Sequence, residues 1–347
     1  MQRSTWEKYC PVRYDSVKFM LHNKSKGIPM HPFLFLLCVF SCMAPIAAAE
    51  KRVKVFVLAG QSNMEGQGVV DLDHPEYYNG GKGSLVWSMQ HSKTKLKMKH
   101  LRDESGQWAV RDDVFVRYQT PHELKTGKLS VGFAVYPGKH HIGPELQFGH
   151  LLGDYLDEPV LLIKTCWGGK SLYKDFRPPA AGGQMGEFYS QMIQDVQYVM
   201  SHVGEEIKEL KDAKLEVAGF VWFQGWNDMF DEQARDEYAD NLTWLVSDMR
   251  QAFHSPSLPV VIGETGNSGS DAGKNMLAIR LAQAEAAVKI RPIGSAVFVS
   301  TTDFARSKDL SPNVGHGHHW FGNAESYFLI GDAMGNAMIE LLRSQQK

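Results

Sequence analysis

The stretch Val53-Lys54-Val55-Phe56-Val57-Leu58-Ala59-Gly60-Gln61-Ser62-Asn63-Met64-Glu65-Gly66-Gln67-Gly68 decides how this chain is read. Its first half, rich in β-branched residues and closed by glycine, has the signature of a buried strand. A serine on a tight glycine turn at a strand's C-terminal end stands where open α/β sheets bind their ligands. A helix starting there would aim free N–H groups at the serine's surroundings and favour developing negative charge. That combination suits the nucleophile of a serine hydrolase. Ser62 followed by Glu65 is also a capping box, S-x-x-E, the sign of an ordinary helix start. Gly66 and Gly68 speak against a long helix, because each costs about 1 kcal/mol relative to alanine in a helix interior.

Working outward, strand-like runs recur at 160–165, 215–223, 259–263 and 294–300. Between them lie helical stripes: Phe188, Met192, Val196, Val199, Val203, Ile207 and Leu210, and later Ala324, Tyr327, Phe328, Gly331, Met334, Met338 and Leu341. Leu146, Leu152 and Tyr155 mark a third helix; Tyr238, Leu242, Leu245 and Met249 mark a fourth. This alternation predicts a three-layer α/β/α sandwich, a flavodoxin-like parallel sheet of about five strands with helices on both faces. Residues 70–142 interrupt the alternation. They hold Ser84-Leu85-Val86-Trp87-Ser88-Met89, a basic run from His91 to Arg102, and Val114-Phe115-Val116-Arg117-Tyr118. The expectation is an inserted hairpin or small β-lobe, its basic run a solvated face rather than a contact for an acidic polysaccharide. The loop from Phe176 to Gly186, rich in glycine and proline, lies beyond a strand end and is expected to be a lid or substrate wall.

The chain has 347 residues, 43% of them hydrophobic, enough for a sizeable core. A formal charge of −2 gives no basic excess for nucleic acid and no acidic solvating tail. Phe33 to Met43 is apolar but too short to span a bilayer, and it runs into Ala47-Ala48-Ala49. Residues 1–49 therefore read as a leader with a secretory signal, with Met30 as an alternative start, and residues 50–347 as one domain, secreted or periplasmic. Val39-Phe40-Ser41-Cys42 is a faint lipobox, the alternative being a lipid anchor. Removal of the leader takes Cys10, Cys38 and Cys42 with it. Cys166 is then left without a disulfide partner and is expected to be a buried structural thiol.

Three more segments fall at predicted strand ends. Cys166-Trp167-Gly168-Gly169-Lys170-Ser171 offers paired glycines whose N–H groups can approach a ligand, or an ordinary turn. Trp222-Phe223-Gln224-Gly225-Trp226-Asn227-Asp228 supplies the amide donors of Gln224 and Asn227, suited to an oxyanion or to turn capping. His316-Gly317-His318-His319-Trp320-Phe321-Gly322-Asn323 precedes the last helix, where a histidine can reach Ser62 and act as general base. Three histidines in four residues also raise a metal site, but no Cys pair or H-E-x-x-H accompanies them, so no metal and no cofactor is expected.

In this order, these segments resemble the SGNH hydrolases, and within them the carbohydrate esterases related to sialate O-acetylesterase and to family-six acetylxylan esterases. The resemblance covers about residues 53–342. Gly60-Gln61-Ser62-Asn63-Met64 is similar to that group's nucleophile block, Gly225-Trp226-Asn227-Asp228 to the G-x-N-D block, and Trp167-Gly168-Gly169 to the glycine block. Gly143-Pro144-Glu145-Leu146 also looks like the group. It implies a serine esterase that removes O-acetyl groups from a carbohydrate, xylan-like or sialic acid-like. Ser62 would be the nucleophile and His319 the base, with His318 the fallback. The Ser62 N–H, a Gly168 or Gly169 N–H, and the Gln224 or Asn227 side chain would hold the oxyanion. The group's D-x-x-H pattern is broken here, because His316 stands three residues before His319. Asp303, just past the last strand, is the expected triad acid; otherwise a Ser–His dyad operates. Tryptophans 167, 226 and 320 could stack on sugar or belong to the core. The competing readings are a lipase or thioesterase on the same scaffold, a non-catalytic glycan-binding module, and hydrolysis through a metal on His316, His318 and His319.

Overall fold

The structure, a computed structural model, describes residues 51–291 and 295–346. The leader and secretory reading of 1–49, and residue 294 in the last predicted strand, lie outside them. The strands are β1 (Arg52–Gly60), β2 (Gly68–Val69), β3 (Val114–Gln119), β4 (Leu124–Lys128), β5 (His141–Ile142), β6 (Val160–Cys166), β7 (Lys214–Phe223), β8 (Val260–Gly263) and β9 (Ala296–Val299). The α-helices are α1 (Ser62–Glu65), α2 (Leu85–His91), α3 (Glu145–Tyr155), α4 (Glu187–Glu206), α5 (Glu232–Ala252), α6 (Lys274–Ile290) and α7 (Ala324–Gln345).

Seven strands form one sheet in the order β4-β3-β6-β1-β7-β8-β9, parallel except for β4, which pairs antiparallel with β3. The five runs read from the sequence are β1, β6, β7, β8 and β9, and they adopt the flavodoxin-like order. Their residues alternate between two cores, as a period-two strand requires when both faces are covered. Val55, Val57, Ile163, Phe220, Trp222 and Ile262 pack with α4, α5 and α6; Phe56, Leu58, Leu162, Val221, Phe223 and Val261 pack with α3 and α7. Among the described residues no helix is long and apolar enough to cross a membrane.

Residues 70–142 hold the expected inserted hairpin, β3–β4, but it extends the main sheet and does not form a lobe of its own. Val114–Gln119 joins the main sheet beside β6, with β4 added at its edge, and only the two-residue strands β2 and β5 pair outside it. Ser84–Met89 is not a strand. Ser84 Oγ accepts from Trp87 N–H at 3.2 Å and caps helix α2, so its local hydrogen bonding wins over its apolar run. The basic run becomes a 3-10 segment, Lys95–Leu101, whose Met98 and Leu101 are buried while the lysines face out.

Register places the site. Gly60 pairs with Cys166 on one side and Phe223 on the other, so the segments that follow β1, β6 and β7 leave the sheet at one level. Gly60 must be glycine: its φ is +154° and a Cβ there would lie 2.2 Å from the Phe223 carbonyl oxygen. Beneath the turn, Lys164 and Glu145 form a fully buried ion pair at 2.8 Å. Lys164 Nζ also donates to the Glu65 and Phe133 carbonyls at 3.0 and 2.6 Å, and Glu145 accepts from Gly143 N–H at 2.9 Å. With both charges paired and hydrogen-bonded, the pair tolerates burial and anchors the end of α1.

Candidate active site

Ser62 is the first residue of the one-turn helix α1. Gln61 is its N-cap residue and no side chain caps it, so the capping-box reading of Ser62 and Glu65 does not hold. The Ser62 hydroxyl faces instead the loop ahead of α7, where His319 Nε2 lies 3.0 Å from Oγ. For the hydroxyl to donate in that bond, the imidazole must be neutral with its proton on Nδ1. Burial is the main cause that lowers the His319 pKa to about 4, helped by His318 and His316. The neutral base form therefore dominates at every pH above that value. A histidine-resolved NMR titration should find the His319 ring changing state near pH 4 rather than near the usual 6.5; a midpoint above 6 would contradict this environment.

No carboxylate among the described residues hydrogen-bonds or ion-pairs with His319, and none figures in its electrostatics. Asp303, the expected acid, is exposed in the 3-10 turn Thr302–Phe304; its carbonyl accepts from Arg306 and its carboxylate makes no bond among the described residues. The structure does not bring it to the base. His316 occupies the position of the D-x-x-H acid, its ring nearly parallel to that of His319 (13°) with centroids 6.3 Å apart. His318 turns toward Trp226, at 5.6 Å, and does not touch Ser62. The three histidines form no metal-ligating cluster among the described residues.

The donors sort differently from expectation. Gly168 N–H is spent on Glu65 Oε1 at 2.9 Å. Gln224 is buried and its Nε2 donates to Asp228 Oδ2 (2.5 Å) and to the Lys170 carbonyl (3.0 Å), while its Oε1 accepts from Tyr238. Asp228 in turn receives Leu172 and Tyr173 N–H, and burial raises its pKa to about 6. These groups shape the loops and leave nothing for a ligand. Among the described residues, no partner takes the N–H of Ser62, the N–H of Gly169 (φ +72°, with free space around it) or the second amide hydrogen of Asn227, whose first goes to the Gly169 carbonyl at 2.7 Å. The sequence reading assigned no role to Gln61, whose side chain spans the turns by accepting from Gly225 N–H at 3.1 Å and donating to Asn227 Oδ1 at 3.3 Å.

Beside His319 opens a cavity of about 460 Å³ lined by Gln67, Tyr77, Tyr78, Tyr136, His141, Asn313 and His316. Tyr136 donates to Gln67 Oε1 at 2.6 Å, and Gln67 Nε2 returns to the Ser62 carbonyl at 3.2 Å, so one wall is tied to the serine turn. Of the three tryptophans, Trp320 is buried core, Trp167 packs on Phe176 and Phe188, and half-buried Trp226 lies beside His318. The Phe176–Gly186 loop bounds a separate depression with Tyr173, Arg177 and Met185 rather than the cavity at His319. Trp320 and Phe321, just after His319, hold left-handed backbone (φ +54° and +53°), a conformation that costs of order 1–3 kcal/mol per residue and persists only where its surroundings impose it.

With a serine–histidine pair at the carboxyl edge of a mostly parallel α/β/α sheet, and a family match over most of its length, the chain is an α/β carbohydrate esterase. It belongs to the carbohydrate esterase family described as sialic acid-specific acetylesterase, whose model matches residues 52–340. A probable carbohydrate esterase of Arabidopsis thaliana is 23% identical over 215 residues, covering 60% of this chain and 67% of that protein. The X-ray structure of that Arabidopsis protein covers 83% of this chain and 98% of its own, at 16% identity and a TM-score of 0.51. The crystal structure of a novel carbohydrate acetylesterase from Xanthomonas citri covers 84% of this chain and 56% of its own, at 15% identity and a TM-score of 0.50. At these identities the structural likeness speaks for the fold.

Proposed function

We propose that the chain is an exported serine esterase that removes O-acetyl groups from carbohydrate. The observation that carries the reading is the 3.0 Å approach of His319 Nε2 to Ser62 Oγ in an environment that keeps the imidazole neutral. Ser62 Oγ attacks the acetyl carbonyl carbon as its proton passes to Nε2. The tetrahedral oxyanion is held by the N–H groups of Ser62 and Gly169 and by Asn227 Nδ2. Collapse expels the sugar oxygen, which takes the proton from His319, and leaves an acetyl ester on Ser62. Water, deprotonated by the same histidine, then releases acetate and restores the serine. The tyrosines of the adjoining cavity supply apolar faces with polar tips, the combination that packs against a sugar ring.

The test is acetate release from acetylated xylan and from an O-acetylated sialic acid, with and without chelator, beside esters of long acyl chains. Chelator-resistant release of acetate from either sugar, with little turnover of long chains, is the expected result. Loss of activity to the chelator would favour a metal on the histidine loop. Turnover of long chains alone would favour a lipase, and glycan binding without acetate release a binding module.

A further inference from the structure

In a serine–histidine–carboxylate enzyme the acid sets the angle of the imidazole. Here no carboxylate among the described residues touches His319, so its orientation has another origin. Three consecutive carbonyls of the histidine loop are each approached by a buried side chain. Asn267 Nδ2 donates to Gly317 O at 3.3 Å, Asn63 Nδ2 to His318 O at 3.0 Å, and the Tyr327 hydroxyl lies 3.4 Å from His319 O. The nearer acceptor of the Tyr327 hydroxyl is Asn63 Oδ1 at 2.6 Å. A carbonyl can only accept, which fixes the amide of Asn63 with its NH₂ toward His318 and its oxygen toward Tyr327.

Asn63 is the residue after Ser62, 5% exposed, and Tyr327 is fully buried on α7. One side chain on the nucleophile's own turn thus grips the peptide that leads into the base, and α7 grips that side chain. The left-handed Trp320 and Phe321 behind the histidine need such restraint to persist. We propose that Asn63 is the positioning residue of the base, fixing the His319 ring on Ser62 through the His318 carbonyl in place of a carboxylate. This rests on the reading that Ser62 and His319 carry out the reaction.

The test compares wild type, Asn63→Ala, Tyr327→Phe and Ser62→Ala on 4-nitrophenyl acetate, with melting temperatures as a folding control. Asn63→Ala should lower kcat ten- to hundredfold with KM within about threefold of wild type, since the group lost sets the base rather than the substrate. Tyr327→Phe, which removes one hydroxyl, should lower kcat three- to tenfold and covers the case in which Asn63→Ala does not fold. The crystal structure of either folded variant should show the His319 Nε2 to Ser62 Oγ distance opened beyond hydrogen-bond length. A folded Asn63→Ala that keeps kcat within threefold, or raises KM alone, or holds that distance at 3.0 Å, overturns the proposal. An inactive wild type or an active Ser62→Ala would instead strike at the esterase reading, while the variant structures would still decide the role of Asn63.

Discussion

Ser62→Ala lowers kcat for acetate release by about 10⁴-fold or more, while KM and melting temperature stay near wild type. The magnitude follows from what the hydroxyl does: it is the side-chain partner of His319 Nε2 at 3.0 Å, and without it the histidine has no nucleophile to activate. The donors proposed to hold the oxyanion stay in place, so a small rate above the uncatalysed reaction should survive, as it does in serine hydrolases stripped of their nucleophile. Folding should be little affected, because among the described residues Oγ bonds only His319, and its removal leaves no large cavity. His319→Ala should be comparably damaging, and the double variant hardly worse than either single one, since the two act as a unit. Steady-state kinetics of the three variants would decide it; a Ser62→Ala enzyme with several per cent of wild-type kcat would remove serine chemistry from consideration.

His316→Asp raises kcat/KM at neutral pH ten- to hundredfold, an unusual direction for a change beside an active site. Position 316 stands three residues ahead of the proposed base His319, the place of the acid in a D-x-x-H pattern. His319 N–H bonds the His316 carbonyl at 2.9 Å, and the two rings lie nearly parallel with centroids 6.3 Å apart, so a carboxylate at 316 stands close to the imidazole. The existing ring is exposed, so the smaller carboxylate replaces it without opening the core. Its charge favours the imidazolium that forms in the transition state. The sign on pH follows. Wild-type activity needs neutral His319, whose pKa of about 4 puts the acid limb of kcat/KM near pH 4. A neighbouring carboxylate raises that pKa, so the limb of the variant moves upward and its advantage shrinks as the pH falls toward 5. His316→Asn separates the loss of a ring from the gain of a charge. An unchanged rate with the limb still near 4 would mean that position 316 does not communicate with the base.

The strands were legible because a parallel sheet covered on both faces turns each strand into an apolar run, and β1, β6, β7, β8 and β9 all have one. Helix α6 was not legible: its apolar residues spread around the axis, with Leu277, Leu281 and Val288 exposed, so no single stripe stands out. Helix α4 ends at Glu206, although Ile207 and Leu210 continue its apolar spacing in a 3-10 turn, because burial alone does not fix a helix end. At the candidate site, Ser62, the histidine loop and Asn227 stood out in the sequence by residue type and order. Gly168 and Gln224 did not, since a sequence shows that a donor exists but not whether Glu65 or Asp228 has already taken it. The roles of Gln61 and Asn63 lie in contacts with residues more than 160 positions away, beyond any local pattern.

Ser62 and His319 meet at 3.0 Å from positions 257 residues apart, and helix α7 packs behind the loop that carries the histidine. On the proposed chemistry, Ser62 therefore stays without its base until the segment carrying His319 has been made and α7 has docked. Closing so long a loop is entropically costly and slow, and it comes after the local βα contacts of the sheet are available. Recovery of esterase activity during refolding should accordingly lag behind recovery of helical signal, which makes catalysis a clock for the docking of α7.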